Sequence, residues 1–220
     1  MSTYGGLFVT VEGGEGSGKS GIVQRLVDHF TAQGLTAVAT REPGASPVGV
    51  AVRDVLLNPD GEMDARTEAL LMAADRAEHV AQVVRPNLEA GHAVVCDRFM
   101  DSSVAYQGFG RGLGALSIRE LSLWASNGLV PDVTVLLDVD PRVGLLRRVS
   151  AGGVNRLDLE SVAFHRRVRE GFLYAARMEP ARFIVIDASG PEGDVAAAAI
   201  SQVNEWCGAE VFRYGRHGED

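Results

Sequence analysis

The stretch Gly13-Gly14-Glu15-Gly16-Ser17-Gly18-Lys19-Ser20 fits G-x-x-x-x-G-K-[ST], the pattern of a phosphate-binding P-loop. Its context fits as well. Leu7-Phe8-Val9-Thr10-Val11 before it is short, apolar and β-prone, and after it Ile22, Val23, Leu26, Val27 and Phe30 recur at helical spacing. Strand, glycine loop and helix is the arrangement in which backbone N–H groups and a helix N-terminus wrap an anion. Lys19 is the only lysine among 21 basic residues, the others being arginine. The exception has a physical reason. A compact ammonium slides between phosphate oxygens where a planar guanidinium is too wide.

Working outward, strand-like and helix-like segments alternate along the chain. Ala37–Thr40, Ala93–Asp97, Val133–Asp138 and Phe183–Asp187 read as further strands. Val48–Leu57, Thr67–Ala90, Ile118–Ser126, Pro141–Ser150, Leu159–Met178 and Asp194–Trp206 read as helices, the second continuing to Gly91 despite Pro86. This alternation predicts an α/β P-loop NTPase fold, a five-stranded parallel sheet with helices on both faces. Ligands then bind at the carboxyl ends of the strands, where Glu12, Asp97, Asp138 and Asp187 stand. One domain over residues 1–207 is expected, with a peripheral tail over 208–220.

The bulk composition agrees with a soluble enzyme. The 220 residues suffice for a sizeable core, and 46% apolar and 23% charged residues are ordinary globular values. The net charge of −8 argues against a nucleic-acid or anionic-membrane partner. No run is apolar enough to span a bilayer, and no signal-peptide pattern is present. Cys96 and Cys207 lack metal spacing, which points to a reducing cytoplasm, with Cys96 as a buried strand residue. Trp124 and Trp206 read as core residues.

Among P-loop proteins, a switch GTPase needs an Asn-Lys-x-Asp segment and hence a second lysine. Remodelling ATPases end an apolar strand in Asp-Glu, whereas these strands end in Val-Glu12, Cys-Asp97, Leu-Asp138 and Ile-Asp187. A small kinase remains. At Asp97-Arg98-Phe99 and Asp101-Ser102-Ser103-Val104-Ala105-Tyr106-Gln107-Gly108 the chain resembles the bacterial thymidylate kinases. The resemblance includes the P-loop, Thr40-Arg41-Glu42-Pro43-Gly44, the Arg66–Arg76 segment, Pro131–Asp138 and Asn155-Arg156-Leu157-Asp158, in the family's order.

The resemblance implies Mg-ATP-dependent phosphorylation of dTMP to dTDP by a homodimer, with these roles. Gly13, Gly14, Gly16, Ser17, Gly18, Lys19 and Ser20 hold the ATP phosphates, and Ser20 and Asp97 serve Mg²⁺. Arg98 clamps the acceptor phosphate, and Arg53 reaches it too. Glu15, an acid inside an anion-binding loop, hydrogen-bonds the acceptor sugar's 3′-hydroxyl. Ser103 and Gln107 read the pyrimidine edge, since each can donate and accept. Arg76 reaches a ring carbonyl, and Glu42 and Met72 belong to the same substrate site. The Arg-rich segment at about 147–157, with Gly152 and Gly153, is a lid whose closure excludes water. As the P-loop carries no Arg, Arg156 and Arg147 are the catalytic candidates.

Three departures stand out. Met72 replaces a Phe that stacks on thymine, Gly21 replaces a Thr after Lys-[ST], and Pro43-Gly44-Ala45-Ser46 replaces Pro-Gly-Gly-Thr. They leave open a kinase of another or modified pyrimidine monophosphate. A second alternative is a nucleotide-binding regulatory protein without turnover.

Overall fold

Runs rich in Val, Ile and Leu form the strands β1 (Leu7–Gly13), β2 (Ala37–Arg41), β3 (Ala93–Asp97), β4 (Val133–Asp138) and β5 (Phe183–Asp187). The computed structural model describes residues 5–58, 61–152 and 155–214, the side chains of 209–214 excepted. All strand pairs are parallel, in the order β2-β3-β1-β4-β5. The chain leaves β1 toward β2 and β3 on one side, then crosses to β4 and β5 on the other. That reversal opens a crevice at the carboxyl end of β1, where doubly wound sheets bind ligands.

The helices are α1 (Lys19–Ala32), α2 (Pro47–Leu57), α3 (Ala65–His79), α4 (Arg85–Glu89), α5 (Met100–Ser103), α6 (Ala115–Ala125), α7 (Pro141–Ser150), α8 (Val162–Met178) and α9 (Glu192–Tyr214). On one sheet face Val9, Val11, Val95, Val135 and Ile186 pack with Ile22 and Leu26 of α1 and Ala199 of α9. On the other, Phe8, Val94 and Cys96 meet Val80, Val84 and Leu88, while Leu136 meets Phe172 of α8. Each such buried Val, Leu, Ile or Phe side chain contributes about 1.5–3 kcal/mol. Asp64, Asp140 and Ser161 cap α3, α7 and α8 by accepting backbone N–H groups.

The expected Thr67–Ala90 helix is one path with a fault. A π-helical turn, Val80–Val84, joins α3 to α4 just before Pro86. Pro86 has no N–H to give to the preceding turn, and the wider spiral accommodates that loss. A second π-helical turn, Val104–Gly110, extends α5 and carries Tyr106 and Gln107. It lies close under α8, because a Cβ on Gly171 would stand 2.8 Å from the Ala105 backbone.

Two expectations are corrected. Trp124 is 81% exposed, because the core side of α6 is taken by Ile118, Ser122 and Ala125. Trp206 is half-buried and donates to the Ala181 carbonyl, but α9 does not end there: it runs on to Tyr214, through the first part of the expected tail. Residues 215–220 of that tail, and Gly153 of the lid segment, lie outside the described residues.

Candidate active site

The glycine loop leaves β1 at Gly13 and enters α1 at Lys19. Its backbone must touch α7. A Cβ on Gly16 would lie 1.9 Å from the Gly144 carbonyl oxygen, and one on Gly144 would lie 2.1 Å from that of Glu15. Gly16 also has φ +64°, a conformation that favours glycine. Lys19 folds back into this loop, its Nζ donating to the carbonyls of Gly14 (2.8 Å) and Gly13 (3.2 Å) and to Ser17 Oγ (3.4 Å). Burial and the nearby Arg98 push its pKa down to about 8, so it stays a cation at neutral pH. Ser20 Oγ donates to Asp97 Oδ2 at 2.8 Å, joining the start of α1 to the end of β3. Over Gly21, where a Cβ would stand 2.7 Å from Glu192 Oε1, lies the start of α9.

Arg98 follows β3 with φ +71°, a left-handed conformation that is strained for arginine. It turns the side chain back over the loop. Nη1 donates to the Gly13 carbonyl (3.0 Å) and Ser102 Oγ (3.1 Å); Nη2 donates to Glu15 Oε1 (2.9 Å) and Tyr106 Oη (3.2 Å). Burial raises the pKa of Glu15, but Arg98, Lys19 and the Tyr106 hydroxyl outweigh it and hold the carboxyl down at about 2. The anchor beneath is Glu12. Expected at a ligand-facing strand end, it instead points under the loop and is fully buried. It accepts from Phe99 N–H (2.8 Å), Ser102 N–H (3.2 Å) and Ser102 Oγ (2.6 Å). Burial and the neighbouring Asp101 push its pKa up to about 7, against the hydrogen bond from Ser102.

Beyond Arg98 a cavity of about 420 Å³ opens between the loop and α2, α3 and the second π turn. Met72, Leu56, Leu57 and Leu157 give it apolar walls, and Gln107, Arg53 and Glu42 also line it. Arg53 donates to the Pro43 carbonyl at 2.8 Å. Gln107 Nε2 donates to Glu68 Oε1 at 2.9 Å, and Glu68 also accepts from Arg111 and Arg156. Burial would raise the pKa of Glu68, but the hydrogen bonds from Arg111, Gln107 and Arg156 lower it below the ordinary carboxylate value.

Arg76 and Ser103 do not line the cavity. Arg76 is fully buried and its donors are engaged: Nε to Glu42 Oε2 (2.9 Å), Nη1 to Ser122 Oγ (2.9 Å) and Nη2 to Ser103 Oγ (3.0 Å). Glu42 takes His79 Nδ1 on its other oxygen at 2.9 Å. Arg76 and His79 thus form a layer behind the wall, paired with Glu42 of the wall itself, since an unpaired buried charge is far costlier than a paired one.

Arg147 and Arg156 part company. Arg147 sits on the last turn of α7 and donates to the carbonyls of Ala188 and Ser189 (both 2.8 Å) beside a second cavity of about 250 Å³, on the far side of the glycine loop. Arg156 lines the first cavity, held by Glu68 (2.6 Å) and the Leu56 carbonyl (3.1 Å). Arg148, a lid arginine not among the catalytic candidates, lines that cavity beside Asp158. No role for Glu68, for Glu12 beyond its place at a strand end, or for Tyr106 was read from the sequence. The charge hidden in the apolar stretch Arg66–Arg76 and the acid closing β1 were the only signals for the first two.

The site therefore joins an anion-binding loop, a hard-oxygen pair at Ser20 and Asp97, and a largely apolar pocket with an arginine between them. This geometry suits two phosphate-bearing ligands brought end to end. Comparison with known proteins agrees. The thymidylate kinase family model matches residues 11–199. Thymidylate kinase of Deinococcus radiodurans is 47% identical over 200 residues, 91% of this chain and 97% of that protein. Those of Clavibacter michiganensis and Bacillus cytotoxicus are 51% and 45% identical, spanning 88% and 90% of this chain and 92% and 97% of their own lengths. The chain belongs to the thymidylate kinase family.

Proposed function

We propose that the chain carries out its family's reaction, phosphorylation of dTMP to dTDP, with ATP bound at the glycine loop and dTMP in the 420 Å³ cavity. The observation that carries this reading is that Lys19, in its loop, and Arg98, between loop and pocket, open onto one cavity with Met72 and Gln107. Lys19 and the amides of residues 13–20 hold the donor phosphates and balance charge as it shifts in the transition state. Ser20 and Asp97 are hard oxygen donors that suit Mg²⁺, which when bound neutralises phosphate charge. Arg98 and Arg53 hold the acceptor phosphate. Glu15, ionised and fixed by Arg98 and Tyr106, accepts from the sugar 3′-hydroxyl. Met72 packs on the base. Glu42 belongs to the pocket wall, and Arg76 and Ser103 support it from behind.

The lid at about 147–157 closes over both ligands. Arg156, already at the cavity, is the stronger catalytic candidate, and Arg147 serves the donor's far end. The exposed apolar side chains Val55 of α2, Leu70 of α3, and Leu116 and Trp124 of α6 lie on neighbouring helices. They support a homodimer through this face. The free thiols of Cys96 and Cys207 suit a reducing cytoplasm.

A coupled ADP-release assay across dTMP, dUMP, dCMP, UMP and CMP tests the reading. The expected order has dTMP first. A preference for another monophosphate moves the function to that pyrimidine, and absence of turnover with all five makes the chain a nucleotide-binding regulator.

A further inference from the structure

Gln107 is 2% exposed and lines the cavity, yet its Oε1 has no hydrogen-bond partner among the described residues. A buried carbonyl oxygen left unpaired is costly, so a native structure has a reason for it. The other end of the amide is engaged: Nε2 donates to Glu68 Oε1 at 2.9 Å. Which end of an amide faces which neighbour is settled by the neighbour's chemistry. Here that neighbour can only accept. Glu68 is 1% exposed and surrounded by donors: Arg111 Nε and Nη2 (3.2 and 3.0 Å), Arg156 Nη2 (2.6 Å) and Gln107 itself. Two guanidinium groups on one buried carboxyl keep it ionised, and an ionised carboxylate has no proton to give. Gln107 therefore cannot flip, because its carbonyl would face the carboxylate and two acceptors would be left opposed.

We propose that Glu68 determines which pyrimidines the cavity takes, by fixing Gln107 as a hydrogen-bond acceptor toward the base. The inference rests on the cavity being the pyrimidine site. An acceptor there pairs with the N3–H of thymine or uracil. Cytosine presents a lone pair at N3, and two acceptors repel. A free glutamine reads both kinds of edge, whereas one held by Glu68 reads one kind. Glu68 is thus a positioning residue that acts through Gln107, and Arg111 and Arg156 act on it in turn. The selection falls on the 3-position and leaves the 5-methyl group, which separates thymine from uracil, to the apolar wall around Met72.

Glu68→Gln tests this, because the new amide can donate to Gln107 Oε1 and so permits the flipped orientation. Initial rates would be measured for dTMP, dUMP and dCMP in wild type and variant. A site built to pair a polar edge rejects the mismatched analogue strongly, so wild type should prefer dTMP to dCMP by at least about 100-fold in kcat/KM. Glu68→Gln should lower that ratio about tenfold or more, through the acceptor KM, with the ATP KM unchanged and the dTMP/dUMP ratio within about twofold of wild type. An unchanged dTMP/dCMP ratio, or equal losses on all three, overturns the proposal. Should Glu68→Gln fail to fold, calorimetric binding of dTMP and dCMP to Gln107→Leu decides: their affinities should converge, and a persisting gap overturns it. Failure of the functional reading looks different, since wild type would then turn over none of the three.

Discussion

The two halves of the site are built on opposite plans. The loop half is one contiguous stretch, residues 13–20, which offers backbone groups and a single lysine and in which Gly16, facing Gly144 of α7, lets that helix approach. The pocket half draws single side chains from α2, α3, β3 and the second π turn. Carboxylates hold several of these side chains or their supports: Glu15 on Arg98, Glu68 on Gln107, and Glu42 on Arg76 behind the wall. On the proposed function the loop reads a phosphate, which looks the same on every nucleotide, so generic backbone donors suffice. The pocket must separate one base from another, and that requires side chains whose polarity is fixed. On this proposal specificity rests on buried carboxylates, and the pocket half should be the more sensitive to substitutions out of contact with the ligand.

The largest expected effect lies at the junction. Arg98→Ala should lower kcat/KM for dTMP by about 10³-fold, because Glu15 is left without its charge partner and the acceptor phosphate without its clamp. Steady-state kinetics with each substrate varied in turn checks this; equal losses for ATP and dTMP would make Arg98 a structural residue of both halves.

Next is Glu12. Its folded pKa of about 7 lies above the ordinary value of 4.5, so the folded state binds the proton more tightly than the unfolded state. Stability from this group is then full below pH 4.5 and is lost as pH rises toward 7, by roughly 3 kcal/mol. Asp75, raised from 3.8 to about 6 by burial and Glu42, adds a loss of the same sign. Urea unfolding at pH 4.5, 6 and 8 should show a shallower decline in Glu12→Gln than in wild type. Parallel declines would mean that Glu12 ionises as freely folded as unfolded.

How much of this was legible in the sequence follows from the same contrast. The loop half was readable because its chemistry is contiguous and Lys19 stands alone among arginines. The central strands β1, β3 and β4 were readable because each is an apolar run buried on both faces. In the pocket half, Arg98, Met72 and Gln107 could be placed through resemblance. That Arg76 and Ser103 stand behind the wall could not, since it depends on which carboxylates meet them in space. The π turn over Val104–Gly110, which aims Tyr106 and Gln107, has no periodicity of its own in so short a segment. Trp124 was misread because size argues for burial, while the face of α6 it occupies is settled by its neighbours.

Smaller effects sharpen the comparison. Met72→Phe should tighten dTMP binding by about 1 kcal/mol, roughly five-fold, through ring stacking, and reduce tolerance of bulky 5-substituted pyrimidines. Calorimetry with dTMP and one such analogue checks both; weaker dTMP binding would mean that the wall is shaped for a different base. Gly21→Ala should stabilise the fold by about 0.5–1 kcal/mol, because α1 gains a better helix former and the exposed Glu192 carboxylate can swing aside. Thermal unfolding decides, and a lower Tm would show that Glu192 is held in place.

The division of the site into two halves is tested most directly by crossed calorimetric titrations. Lys19→Ala and Arg98→Ala would each be titrated with dTMP and with a non-hydrolysable ATP analogue. Lys19→Ala should weaken the ATP analogue at least about tenfold and leave dTMP within about twofold of wild type, and Arg98→Ala should do the reverse. Equal weakening of both ligands by either substitution would contradict the account.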